Sequence, residues 1–299
     1  MKKKTVFLLV ICCIIVVQLT GVWAKDPSPE QLVADHLKSI GAPTALSQVK
    51  SISFIGNSEV NFILGMTGQL AGAAILVSEG SNMGILMRFQ DINYPGEHFA
   101  YDGRTVSVGT IKPGLRSPIA DFVYRYNKTI KNGMIGGVFS NAWPLLDIKD
   151  SKPRNMKVRS TKVEGVELYE LEYRPRDDHG DMKIRLYFDK ETYRHVRTEF
   201  KVTTKDDVTT GSKTPFDGGS PGGVRDMAIG DVRGESYYTL VEKFDDFRQV
   251  GELTMPYSYT LDYMIDGTNQ SGFIAKWKID VQEIGFNTPG IDPKLFTVD

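Results

Sequence analysis

Two hydrophobic periods divide the chain. Leu32, Val33, Leu37 and Ile40 recur at helical spacing; Ser28 stands before them as a cap, Pro29 suits a first helical turn and Gly41 is a stop, so a helix is predicted here. A short second helix is expected over 44–49. Beyond it the spacing falls towards two. Residues 51–63 alternate in part, and 73–77 and 84–89 read as short strands around a turn-forming Ser-Glu-Gly-Ser-Asn run. Residues 99–101 and 106–108 flank Asp102-Gly103, which predicts a hairpin with a type I′ turn, since both residues tolerate positive φ. Helix returns at Ser117-Pro118, after which Ile119, Phe122, Val123 and Tyr126 stand at i, i+3, i+4 and i+7; residues 134–146, rich in glycine and apolar side chains, predict another.

From 156 the pattern is a long antiparallel meander. Tyr169, Leu171 and Tyr173 share a face. Ile184, Leu186 and Phe188 share another, with Lys183, Arg185 and Tyr187 opposite. Tyr257, Tyr259, Leu261 and Tyr263 alternate, as do Phe273, Ala275, Trp277, Ile279 and Val281. A period of two means one buried and one wet face. The fold class is therefore mostly β (α+β): a long antiparallel sheet, bent where the glycines and alanines of 65–74 fall, with modest helical material to cover it. The cover either packs the apolar face fully or roofs it and leaves a cavity; the pattern fits both. Gly211–Gly234 interrupts the meander with seven glycines and two prolines and reads as a lid, a binding loop or an insertion. No internal repeat is present.

The first 24 residues change the picture of where this fold works. Lys2, Lys3 and Lys4 precede an unbroken apolar run over 6–17, and Val22-Trp23-Ala24 supplies small residues at −3 and −1, the three parts of a cleavable secretory signal. The run is short for a membrane span, which needs about 20 apolar residues. Residues 25–299 then form one domain. Both cysteines, Cys12 and Cys13, lie in the signal, which leaves the exported part without thiol chemistry or cysteine zinc sites. The whole chain carries 36 Lys and Arg against 37 Asp and Glu; without the three signal lysines the net charge moves from −1 to −4. Nucleic acid and anionic membrane want a basic patch, and neither is expected as a partner.

Candidate chemistry is thin. Gly218-Gly219-Ser220-Pro221-Gly222 matches G-x-S-x-G as a string, but no strand leads in, no helix leads out, and Pro221 lacks the N–H an oxyanion hole requires. The Asp177-Asp178-His179-Gly180-Asp181 run lacks the glycine and glutamate spacing of a calcium loop and reads as a turn. His36, His98, His179 and His195 show no i, i+3 or i, i+4 pairing. There is no phosphate-binding glycine motif; Asn127-Lys128-Thr129 and Asn269-Gln270-Ser271 are sequons by pattern only. The reading is of a protein that is not an enzyme and holds no metal or cofactor.

The meander over 168–200, with its Asp189-Lys190-Glu191-Thr192 turn, resembles the corresponding stretch of the outer-membrane lipoprotein-sorting proteins, the LolA-like superfamily. So does the tail, Ile279 to Asn287 followed by Ile291-Asp292-Pro293-Lys294-Leu295-Phe296. The matched parts cover about a quarter of the exported chain; its length and the Gly211–Gly234 stretch depart from the pattern. The resemblance implies a half-open β-barrel with helices over its concave face, in the periplasm, holding lipid acyl chains or the anchor of a lipidated protein, with no catalytic residue and no metal. On that reading the cavity draws Tyr169, Leu171, Leu186, Phe188, Tyr259, Leu261 and Trp277 from the sheet and Phe122, Phe139 and Trp143 from the lid. The alternative is a non-enzymatic module of the same fold with a filled core, which recognises an envelope protein or senses stress.

Overall fold

The computed structural model describes residues 26–176, 180–206, 234–267 and 272–298. The expected export signal, the G-x-S-x-G string, the glycine-rich stretch up to 233, Asp177 to His179 and the Asn269 sequon lie outside the described residues.

Helix α1 (Pro29–Ile40) begins where its cap chemistry places it: Ser28 Oγ accepts the Gln31 N–H, Pro29 occupies the first turn, and the chain leaves at Gly41. Its apolar stripe, Leu32, Val33, His36 and Ile40, is buried. Helix α2 (Pro43–Gln48) follows. Twelve strands then form one antiparallel sheet: β1 (Ser51–Leu64), β2 (Gly68–Glu79), β3 (Asn82–Phe89), β4 (Gly96–Tyr101), β5 (Val106–Val108), β6 (Asn155–Val163), β7 (Val166–Arg174), β8 (Lys183–Asp189), β9 (His195–Asp206), β10 (Gly234–Val250), β11 (Leu253–Gly267) and β12 (Phe273–Phe286). The spatial order is β5-β4-β3-β2-β1-β12-β11-β10-β9-β8-β7-β6. The first and last strands meet in the middle, Val60 opposite Trp277 and Ser58 opposite Ile279. Two meanders run outward from that pair to free edges at β5 and β6, so the sheet stays open. It is mostly β, an open half-barrel with few helices.

The segment 109–154 carries the chain from one free edge to the other, and it supplies about half of the helical cover. Helix α3 (Pro118–Arg125) is capped by Ser117 Oγ, which accepts the Ala120 N–H at 3.0 Å, and buries Ile119, Phe122 and Val123. Helix α4 (Lys128–Lys131) and, beyond the roof's deepest part, α5 (Ile148–Ser151) are single turns. The long helix expected over 134–146 is not formed. Gly133, Gly136 and Gly137 all take positive φ, between 50° and 87°, which breaks a right-handed helix, and only a 3₁₀ turn at Gly137–Phe139 remains. The apolar residues of the stretch are nonetheless buried: Met134, Ile135, Val138, Phe139, Trp143 and Leu145 join the same cluster as the sheet's inner face.

The hairpin expected at Asp102-Gly103 exists, but with a four-residue loop. Tyr101 pairs with Val106, and the Asp102 carboxylate accepts the N–H groups of Arg104 and Thr105 at 2.8 and 2.6 Å, an Asx turn in place of a type I′ turn. In β2, a Cβ on Gly72 would run into the Arg88 carbonyl of β3, so glycine is required by close backbone approach. On the outer face, charged side chains replace the apolar cover. Glu170 bonds Arg159 at 2.7 Å and lies 3.5 Å from Arg185, which reaches Glu199 at 2.7 Å. The tail turns back as a 3₁₀ helix (Pro293–Phe296) capped by Asp292, and the Leu295 carbonyl lies over Gly84 and 3.1 Å from His98 Nε2.

Candidate functional site

The ten aromatic and aliphatic residues expected to face a cavity lie on the inner side of the sheet or in the roof above it. Leu171 of β7 stands opposite Leu186 of β8, Tyr169 opposite Phe188, and Leu261 of β11 opposite Trp277 of β12. From the roof, Phe139 reaches 4.9 Å from the Phe54 ring and 6.0 Å from Tyr259. Phe122 packs 5.3 Å from Tyr263. Trp143 meets His195 at 5.1 Å and His36 at 5.2 Å, and His36 meets Phe188 at 5.0 Å. Trp277 packs on Phe62 and donates its indole N–H to the Tyr94 hydroxyl at 2.8 Å. Tyr169 is half-buried beneath a stacked Tyr193; the other nine are buried, each at most 2% exposed. They therefore serve two neighbourhoods of one continuous apolar interior, Phe122 and Trp277 towards the β1–β4 side and Trp143 and Phe188 towards β8 and β9.

That interior contains polar groups at fixed places. Glu242 of β10 accepts the Gly136 N–H at 2.7 Å and the Tyr259 hydroxyl at 2.5 Å, which ties the roof to the sheet; burial pushes its carboxyl up to about 7 against those two bonds. Glu97 of β4 does the same at the other end. It accepts the Tyr94 hydroxyl at 2.5 Å and bonds Ser117, the cap of α3, and burial raises it to about 7. Two histidines far apart in sequence come together, His36 of α1 and His195 of β9, with ring centroids 6.1 Å apart. His36 Nδ1 bonds the Tyr193 carbonyl and His195 Nε2 the Thr198 hydroxyl, each at 2.9 Å. Burial holds His36 down at about 4 and, with the adjoining His36 ring, holds His195 well below its ordinary value. Burial thus favours the neutral form of both rings. Among the described residues no three His, Cys, Asp or Glu side chains gather to hold a metal, and no helix is long and apolar enough to cross a membrane.

Open space lies beside the interior. A groove of about 540 Å³ runs between the two N-terminal helices, the roof and the mouth of the sheet, with Leu37, Ile40, Leu46, Val49, Leu146 and Leu253 among its walls. Its size falls within the ~300–1,000 Å³ of small-molecule sites. None of the ten sequence-derived residues lines it. Trp143 instead forms part of a second groove, of about 570 Å³, on the other side of Asn141. Leu37 and Ile40 were visible as part of the α1 stripe; Leu46 and Val49 lie in and just after the short α2, and Leu146 and Leu253 in a loop and at a strand end, where neither hydrophobic period operates.

No family model and no curated protein sequence matches the chain. Among solved structures, the chain is similar to an outer membrane lipoprotein-sorting protein domain from Vibrio parahaemolyticus: 14% identity, TM-score 0.41, 88% of this chain and 95% of that one. It is also similar to the LolA superfamily protein NE2245 from Nitrosomonas europaea: 10% identity, TM-score 0.38, 89% and 96%. A third is MucB, in complex with MucA(peri): 9% identity, TM-score 0.21, 87% and 98%.

Proposed function

We propose that the protein is an exported, non-enzymatic binding protein for a lipid acyl chain, free or as the anchor of a lipidated protein, in the periplasm. The observation that carries the reading is the apolar groove walled by α1, α2 and the roof. It opens at the surface, so a chain enters without displacing any buried side chain. The seven sheet residues among the ten act on this reading as the floor that supports the roof, and Phe139 and Trp143 of the roof are the side chains a longer chain would have to move. Burial contributes about 0.8 kcal/mol per methylene, so about ten methylenes supply the ~8 kcal/mol of a micromolar Kd, before the cost of immobilising the chain.

The test is native mass spectrometry of the exported chain purified from periplasm, before and after denaturation, in wild type and in Ser47→Trp. Ser47 is exposed on the groove wall, and an indole there narrows the groove without removing a core contact. Lipid mass in the wild type that is lost in a folded Ser47→Trp variant is the expected result. Wild-type protein that carries no lipid and takes up none when it is added refutes the carrier. That outcome moves the filled-core reading forward, in which the protein recognises an envelope partner; the dense burial of the inner-face residues favours this second reading.

A further inference from the structure

The apolar groove does not end at a wall. Asn141, Leu146 and Asp147 line both it and the second groove, so the two are consecutive compartments separated by one ridge. Their chemistry differs. The second compartment is walled by Lys131, Asn132, Asp147, Asp150, Ser151 and Arg176, from α4, the roof, α5 and the end of β7. Lys131, Asp150 and Arg176 form no ion pair among the described residues. The walls thus offer two cations and two carboxylates in one recess. Asn141, on the ridge, donates its side-chain amide to the Val49 carbonyl at 3.2 Å, and its Oδ1 is buried without a hydrogen-bond partner. Trp143, also on the polar side, has a buried indole N–H without a partner. A buried polar group left in this way costs stability unless something completes it.

An apolar trough that continues over a hydrogen-bonding ridge into a recess of both charge signs has the order of parts of a single-chain amphiphile: tail, linker, head. Building on the acyl-chain reading above, we infer that the second compartment is a headgroup site for a zwitterionic phospholipid with one acyl chain. The guanidinium of Arg176 and the ammonium of Lys131 take the phosphate, which Arg suits by its planar fork. Asp150 and Asp147, whose Oδ1 also accepts the Asp150 N–H at 3.1 Å, take the head's ammonium. A head with only one sign of charge leaves two of these side chains facing a like charge or nothing, and a neutral head leaves all four unmatched.

The experiment titrates the exported chain with four amphiphiles of one chain length, below their micelle concentrations, by calorimetry: lysophosphatidylethanolamine, monoacylglycerol, a fatty acid and an alkylamine. The expected result is that lysophosphatidylethanolamine binds at least tenfold tighter than the other three. Lys131→Glu combined with Arg176→Glu should erase that gap and leave monoacylglycerol affinity unchanged, which also shows that the variant is folded. Equal affinity for lysophosphatidylethanolamine and monoacylglycerol, a gap that survives the double variant, or tightest binding by either singly charged amphiphile overturns the headgroup site but leaves the apolar groove standing. Binding of none of the four removes the acyl-chain reading and this inference with it.

Discussion

Glu242→Gln isolates one of the two interior carboxyls, and its consequence is a change in how stability depends on pH. Glu242 is fully buried, and its carboxyl titrates at about 7 in the fold against an ordinary 4.5. The folded protein therefore keeps a proton that the unfolded chain releases above about pH 4.5. The stability this supplies is complete below that pH and is lost as pH rises through about 7. At 1.36 kcal/mol per pH unit, the displacement is worth about 3 kcal/mol. Glutamine has no proton to lose, and its carbonyl still accepts from Gly136 and Tyr259. The buried histidines run the other way: His36, at about 4, and His195 stay neutral in the fold, so their contribution is present above about 6.5 and lost as pH falls. A wild-type profile alone mixes the two slopes. The assay is urea unfolding followed by tryptophan fluorescence at about pH 4.5, 6 and 7.5, with the histidine terms cancelling in the difference between variant and wild type. The variant should gain on the wild type by about 3 kcal/mol across that range. A difference that does not change with pH refutes the argument, because the carboxyl would then have no raised titration to remove. Glu97→Gln should behave alike, and the double variant additively, since the two carboxyls share no partner.

Other consequences are read from single sites. Ser117→Ala removes the cap of α3 and a bond to Glu97 and should lower stability by about 1–2 kcal/mol, measured from the urea midpoint. Gly137→Ala places a Cβ 2.8 Å from the Phe244 ring and 3.2 Å from His195 at a φ of +50°, and should cost about 1–3 kcal/mol; Gly114→Ala, at positive φ but with nothing within 4 Å, isolates the backbone part. Asn287 holds the entry to β1 through the Lys50 N–H at 2.7 Å and the Gln48 carbonyl at 3.0 Å, at a φ of +54°. Asn287→Ala should cost about 1–3 kcal/mol in a thermal melt, and Asn287→Gly should recover only the backbone share.

Local chemistry was legible in the sequence wherever it is self-contained. Ser28-Pro29 and Ser117-Pro118 specify helix starts through an oxygen, a missing N–H and a fixed φ, all within four residues, and both helices begin there. The alternation of 273–281 is long enough to identify a strand whose buried side is unambiguous. The stretch 134–146 does not form the helix that its apolar content predicts, because Gly136 and Gly137 adopt left-handed backbone. What the sequence does not show is set by distance along the chain. The pairing of β1 with β12, the meeting of His36 with His195 across about 160 residues, and the ridge at Asn141 all depend on which elements close on which. The carboxyls Glu97 and Glu242 sit in strands where a charged residue reads as outward-facing; only the inner-face partners Tyr94 and Tyr259 reveal that they point in.

On the proposed acyl-chain reading, the same interior decides how a chain is accommodated. To enter beneath the roof, a chain must displace Phe139 from among Phe54, Phe244 and Tyr259, and Trp143 from between His36 and His195. Emptying one buried aromatic site costs about 3–5 kcal/mol, and two such sites cost nearly what about twelve buried methylenes return at about 0.8 kcal/mol each. The exchange is close to balanced, so the interior yields only to a ligand that refills what it empties. The surface groove demands no displacement, so on the proposed reading it is the place where a chain is first held. Glu242 and Glu97 anchor the roof at two ends, through Gly136 and Ser117. Charging either carboxyl weakens the anchored state relative to a more hydrated one, so the step from groove to interior is the one that pH and roof substitutions would affect, while the groove's own affinity is set by α1, α2 and the Asn141 ridge.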